Sequence, residues 1–464
     1  MVAVVENRLV DFIHNSSLET FPDDLRQTVK WSVLRSLGTG IAGAHEDGIA
    51  EIRQLAAQRE EGGQASVLVF GERVSAQSAA FINATMCRAL DFCDAMLPGV
   101  HLTSSVLPAA LAAAELRGAC SGREFLTAMA AGLEVGARLN LTERDFAGLD
   151  PTGFGTIFAS TAAAARILGL GEKQTLHALG LAFNRCGGSF QSNIDGSLAV
   201  RVIQGWVAET AINCAQLAEA GLTGPDNFIS GVYGYSKLYC GEDVVEGRWV
   251  GGLGERFKLD DTLFKKHPGC GMTQGASELT LRFLAEHGAA PGDIAKVRIT
   301  LPPHSYNLVG HPFKIGDSPT VDAQFNVAYC VANALVNGGA ALSHFKAEAV
   351  RSADVAEMIE RIEIIRDEEL YKTGHSAVEI TFELADGTSH DYALTIPPGF
   401  PGNRLGEAEQ IAAFHQCLDY AGDWYDAAMG ERVIEWVGGI EDCADVRELA
   451  GLTLMKEGAV RLAG

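Results

Sequence analysis

The chain is short of basic residues. Lys and Arg number 36 against 59 Asp and Glu, a formal net charge of −23. Nucleic acid and anionic membrane are therefore excluded as expected partners, because both would be repelled at long range. No stretch runs to eighteen apolar residues, and Met1-Val-Ala-Val-Val-Glu-Asn-Arg8 is not a basic segment leading into a long apolar one. A soluble, cytoplasmic protein is expected. Ten cysteines occur without one C-x-x-C pair, so no metal site is expected, and the thiols read as reduced core residues. The run Gly251-Gly252-Leu253-Gly254 lacks the strand–turn–helix setting of a dinucleotide site, and no cofactor is expected.

What the chain does have is length and apolar content. With 464 residues at 47% hydrophobic, it can bury two cores. Apolar residues recur at helical spacing over 21–43, 75–90, 104–116, 122–139, 158–168, 173–184 and 199–220, with Gly or Pro between the runs. Past Val250 the pattern changes. Residues 294–301, 378–384 and 390–396 alternate polar and apolar, the last two joined by Ala385-Asp-Gly-Thr388 as a hairpin, with helices predicted over 273–287 and 322–336. Helical spacing returns over 407–420 and 442–450. The expected fold is mainly α: a large all-α domain of residues 1–265 completed by 404–464, and a smaller α+β lid domain of 266–403.

The stretch from Arg88 to His101 carries the chemistry. Asp91, Asp94 and His101 stand within fourteen residues of otherwise apolar sequence, and Leu97-Pro98-Gly99 marks a turn between two helices. Such a junction can present acid/base groups to a cavity. Asp94 equally suits a helix cap.

Five blocks then carry a resemblance. Ala89-Leu-Asp-Phe-Cys-Asp94 with His101, Gly153-Phe-Gly-Thr156, Gly205-Trp-Val-Ala208 with Leu217 to Pro225, Phe264-Lys-Lys-His-Pro-Gly-Cys270, and Asp322-Ala-Gln-Phe-Asn-Val-Ala-Tyr329 together resemble the MmgE/PrpD family. That family includes 2-methylcitrate dehydratase, cis-aconitate decarboxylase and iminodisuccinate epimerase. The resemblance implies a helical domain and a lid with a cleft between them, a homodimer, and a small di- or tricarboxylate substrate. It also implies chemistry that starts with a proton on the carbon beside a carboxylate.

Residue by residue, the resemblance is incomplete. Asp91 and His101 match an Asp and a His ten residues apart in the family's active site, and Tyr329 matches a Tyr. Asp150 stands where a His is usual, Val200 and Arg201 where a Lys is expected, and Gln274 where a second His is expected. Those departures remove donors able to protonate a leaving group. Epimerisation of the iminodisuccinate type needs none and is favoured on that ground, the alternatives being a dehydratase- or decarboxylase-type lyase or a non-catalytic carboxylate binder. In this reading His101 removes the proton with Asp91 fixing its tautomer. Tyr329, Lys266 or His267 returns one to the opposite face. Arg201 and Arg185 hold the substrate's carboxylates, with Gln274 and Asp150 as further binding positions.

Overall fold

The computed structural model describes residues 4–60, 62–243 and 245–456. Helices α1 (Val4–Asn15), α2 (Asp23–Gly43), α3 (Ala76–Arg88), α4 (Thr103–Arg117), α5 (Gly122–Arg138), α6 (Gly155–Ile167), α7 (Glu172–Phe183) and α8 (Ala199–Glu219) form the larger part. Local chemistry sets their ends. The Ser75 side chain caps α3 by accepting the Ser78 amide at 3.2 Å, Ser121 and Glu124 form a capping box at the start of α5, and Gly118 ends α4 at φ 92°. Small residues then allow close approach: a Cβ placed on Gly136 of α5 would lie 2.5 Å from the Ala159 Cβ of α6. The tightly set α4, α5 and α6 therefore make a rigid centre.

The smaller part contains α9 (Gln274–His287), α10 (Val327–Asn337) and a four-stranded sheet of β1 (Ile294–Leu301), β2 (Ile362–Arg366), β3 (Val378–Leu384) and β4 (Ser389–Leu394). Its strand order is β2-β1-β3-β4. The β1–β2 pair is parallel and the other two are antiparallel. Helices α9 and α10 pack on it, with Phe283 of α9 stacked on Phe382 of β3 at 4.1 Å between ring centroids. Helices α11 (Glu407–Ala421) and α12 (Ala427–Gly438) then return to the first part, where Phe414, Leu418, Val433 and Val437 join its core. A second core lies around the sheet and takes in Ala95, Phe190 and Val200 from the helical part. The fold is thus mainly α with a smaller α+β part.

Three elements differ from expectation. The helix predicted over 322–336 is two, Pro319–Gln324 and α10, because the Asn326 side chain accepts the Tyr329 amide at 3.0 Å and starts a new helix. The segment 442–450 is broken into short turns where the Asp445 side chain accepts the Arg447 amide. Strand β2 was not foreseen: it is short, at an edge and mostly exposed, so it carries little alternation. No described helix is long and apolar enough to cross a membrane.

Candidate active site

The chain leaves α3 at Arg88 and enters α4 at Thr103, and the fourteen residues between wrap one side of a small closed cavity of about 30 Å³. The other side comes from residues 263–272 with Leu308 and Phe325. The two sides are stitched together by Ala95 and Leu263, whose backbones exchange hydrogen bonds of 3.0 and 2.8 Å. Phe264 is held in turn by the Gly399 carbonyl at 2.9 Å. Only glycine fits there, since φ is 87° and a Cβ would sit 1.7 Å from the Phe264 oxygen.

All four polar residues of the cavity wall meet at one oxygen. Asp91, wholly buried with a left-handed φ of 48°, directs Oδ1 at Arg88, which donates from 2.6 Å, and at Lys265, which donates from 2.7 Å. His101 Nε2 lies 3.5 Å from the same atom. Oδ2 of Asp91 is buried with no hydrogen-bond partner. A second Lys265 proton goes to the Asp91 carbonyl at 2.7 Å, so two of its three donors are fixed and one remains. A left-handed aspartate costs backbone strain and persists where surrounding contacts hold it; here they are the two buried cations.

The tautomer of His101 is set by a carbonyl. Its Nδ1 is 2.9 Å from the Asp94 backbone oxygen, which can only accept, so Nδ1 carries the proton and Nε2 presents a lone pair. This corrects the expectation that Asp91 fixes the tautomer. Burial first, and then the charges of Arg88 and Lys265, hold His101 well below the usual imidazole range, so the ring is neutral. The Asp94 carboxyl, which accepts the Thr103 hydroxyl at 2.7 Å, is pushed up to about 6 by burial. Gln204 donates to the His101 carbonyl at 3.1 Å, and Arg35 donates to the Lys265 carbonyl at 2.8 Å. Backbone on both sides of the pair is therefore pinned.

The remaining residues singled out in the sequence lie elsewhere. Lys266 and His267 both turn to Glu278, at 3.1 and 2.8 Å, and hold that carboxyl down at about 2. Along the extended run from Leu263 side chains alternate, so Leu263 and Lys265 reach the cavity while Phe264 does not; Lys266 and His267 stand in the bend that follows and turn away together. Gln274 bonds both backbone groups of His267, accepting from the amide at 2.9 Å and donating to the carbonyl at 2.7 Å, which makes it a brace for that loop. Tyr329 is packed between Phe313 and Phe345 with its hydroxyl donated to the His344 carbonyl. Arg201 donates to the Asp47 carbonyl at 3.0 Å, Arg185 is exposed beyond the end of α7, and Asp150 caps the turn at Pro151 by accepting the Thr152 amide at 2.9 Å. None of these lines the cavity. Arg88 was not singled out, and of the adjacent Lys265 and Lys266, one of which the sequence sends to the cleft, it is Lys265 that lines the cavity; its shared alternation with Leu263 was the available signal.

A cavity of that size admits a water-sized molecule and not a dicarboxylate, so the described state is closed. Met96 and Leu97 form its wall on the side of a groove of about 930 Å³ that runs between the helical and α+β parts. His375 of the α+β part and Glu143 of the helical part meet in that groove at 2.6 Å.

Residues 7–247 match the MmgE/PrpD N-terminal domain and residues 267–436 the MmgE/PrpD C-terminal domain. The chain belongs to the MmgE/PrpD family. It is 26% identical to the cis-aconitate decarboxylase-like protein oryM of Aspergillus oryzae, over 97% of both chains. It is 24% identical to cis-aconitate decarboxylase of Homo sapiens over 78% of this chain and 77% of that one. With cis-aconitate decarboxylase of Aspergillus terreus it shares 22% over 97% and 95%.

Proposed function

We propose that this MmgE/PrpD family member is a cytoplasmic, cofactor-independent lyase that removes carbon dioxide or water from a small polycarboxylate. In this account Lys265 is the proton donor, and His101 Nε2 is the proton acceptor wherever a C–H bond is broken. The observation that carries it is the convergence of Arg88, Lys265 and His101 on Asp91 Oδ1 inside a closed cavity. Likeness to two cis-aconitate decarboxylases and one cis-aconitate decarboxylase-like protein, along nearly the whole chain or most of it, supports the lyase direction. Epimerisation was favoured because no donor for a leaving group was evident. Lys265 supplies one, and that ground is gone.

The chemistry follows from the geometry. In a dehydration, neutral His101 takes the proton beside a carboxylate, the electron pair moves to form the double bond, and the Lys265 ammonium protonates the departing hydroxyl. In a decarboxylation of an unsaturated acid, the carbon–carboxylate bond breaks and its pair becomes the new double bond. The old π pair then takes a proton from Lys265 at the far carbon. Both routes build negative charge next to a substrate carboxylate, and Arg88 and Lys265 are cations already fixed in a water-excluded site. The resting ion pair to Asp91 keeps them oriented before substrate enters.

The protein is further proposed to act as a homodimer. Trp206, Val232 and Tyr233 stand out of the surface at 55, 70 and 79% exposure, large apolar groups that a second copy would cover; sedimentation at micromolar concentration tests this. For the reaction, incubation with cis-aconitate and with 2-methylcitrate should give carbon dioxide or an unsaturated acid from at least one of them or a close analogue. Exchange of an α-proton or inversion without either product would return the site to the epimerase reading.

A further inference from the structure

The groove that backs onto the closed cavity is positive on an acidic protein. Arg138, Arg144, Arg248 and Lys258 line it against Glu143 and Asp261, while the whole chain carries a net charge of −23. Two of these cations are committed to the fold. Arg138 is held by Glu134 at 2.6 Å and by the carbonyls of Trp249, Gly251 and Arg256, and Arg248 is held by Asp145 and Glu242. Arg144 and Lys258 are different. Their side chains are 80 and 57% exposed and stand 3.7 Å from Glu242 and 3.6 Å from Asp261, beyond hydrogen-bond reach. Glu143, by contrast, is already met by His375 at 2.6 Å.

Only a turn of chain separates groove from cavity. Met96 and Leu97 line both spaces, and a Cβ on Gly271 of the cavity would lie 3.8 Å from the ring of Phe400 in the groove. Asn140, also in the groove, holds the turn by donating to the Leu97 carbonyl at 2.8 Å. At about 930 Å³ the groove has room for a small polycarboxylate that the closed cavity does not.

We propose that this groove is the substrate's entry path and that Arg144 and Lys258 are its capture residues, meeting the carboxylates of a small polycarboxylate before the Met96–Val100 turn admits it to Arg88 and Lys265. A polyanion approaching this protein is repelled at long range by its net charge, and a cleft of opposite sign restores the encounter rate. Arg144 and Lys258 can receive a carboxylate without giving up a hydrogen bond, whereas Arg138 and Arg248 would have to leave theirs. This deepens the lyase reading and rests on it for the identity of the anion.

The test compares the full-length wild type with the double variant Arg144→Glu/Lys258→Glu, and its first arm needs no substrate. Cys270 lines the cavity, so its modification reports arrival from outside. It is labelled at low ionic strength with anionic 2-sulfonatoethyl methanethiosulfonate and, separately, with cationic 2-(trimethylammonium)ethyl methanethiosulfonate, and the rate at Cys270 is read by peptide mass spectrometry. The double reversal is expected to lower the anionic-to-cationic rate ratio by at least about fivefold. The difference should close in about 1 M salt, where screening acts within about 3 Å. A matched reversal outside the groove lining, Arg123→Glu/Lys296→Glu at half-exposed positions, should leave the ratio within about twofold of wild type. Should the groove reversal not fold, Arg144→Gln/Lys258→Gln is expected to lower the ratio by at least about twofold. An unchanged ratio in a folded groove variant, an equal fall in the matched control, or no labelling of Cys270 by either reagent overturns the proposal.

The second arm measures kcat/KM with cis-aconitate and with 2-methylcitrate. At low salt the groove reversal should lower it by at least about fivefold for the acid that is turned over, and the loss should fade as salt rises. An undiminished kcat/KM overturns the path. A shifted labelling ratio with no turnover of either acid by wild type supports the groove as an anion path and counts against the lyase reading alone.

Discussion

Lys265 and Asp91, 174 residues apart in the chain, meet twice: the ammonium donates to the carboxylate Oδ1 and to the backbone carbonyl of the same residue, each at 2.7 Å. The contact joins the α3–α4 junction to the segment that leads into the α+β part. It places a buried cation and a buried carboxylate next to the neutral ring of His101.

The adjacent lysines should separate cleanly by function. Lys265→Met keeps the stem and removes the donor, and is expected to lower turnover by about 10² or more. Lys266→Ala loses a half-exposed pair with Glu278 and should stay within about twofold of wild type. Steady-state rates on folded variants decide; equal losses at the two positions would contradict the alternation that sends only Lys265 to the cavity.

The acid side of the pH profile should lie low. The neutral ring is the active form, and burial with Arg88 and Lys265 depresses the folded-state value below 6.5. Activity is therefore expected to persist as pH falls through 6.5 and to be lost only beneath it. Nitrogen-15 NMR of the imidazole should report Nδ1 protonated and Nε2 bare at pH 6.5. In Lys265→Met the titration should move upward, because a positive neighbour is gone. A normal or raised value in wild type would mean that Asp91 dominates the ring.

Asp94 predicts a stability effect with a definite sign. Burial raises its carboxyl from 3.8 to about 6. Above pH 6 it is ionised in both states, and the folded state bears the cost. Between those values the folded state holds the proton, and below 3.8 the cost vanishes. Asp94→Asn keeps the backbone carbonyl that orients His101 and should raise stability by about 3 kcal/mol at pH 7.5. The gain should shrink as pH falls toward 4. Denaturant melts at the two pH values measure it, and a destabilised variant at pH 7.5 would show that the Thr103 and Arg35 partners outweigh the burial.

Tyr329 is expected to matter for packing only. Tyr329→Phe removes its bond to the His344 carbonyl, costing about 1 kcal/mol, with turnover unchanged within about twofold. A loss of 10² in a stable variant would bring the phenol into the reaction and require a different open state.

How much the sequence disclosed depended on the range of the interaction. Helices with a Ser75 or Ser121 cap and strands with two-residue alternation are local features, and both were legible. So was the Asp91/His101 junction, because its polar residues are close in the chain. The partners of Asp91 are a different matter. Arg88 reads as an ordinary last-turn residue of α3, and Lys265 is one of two adjacent lysines whose directions are set by pairing between Leu263 and Ala95, far away in sequence. Tyr329, Arg201, Gln274 and Asp150 are buried polar groups held by backbone partners that spacing does not reveal.

The central claim is that His101 and Lys265 move the proton, and one measurement bears on it most directly. Wild type, His101→Ala and Lys265→Met are incubated with cis-aconitate and 2-methylcitrate in deuterated water, and NMR follows deuterium entering substrate and product. The account predicts incorporation by wild type with at least one acid, a fall of 10² or more in folded Lys265→Met, and a like fall in folded His101→Ala with 2-methylcitrate. A folded His101→Ala protein that incorporates deuterium from 2-methylcitrate at close to the wild-type rate would contradict it.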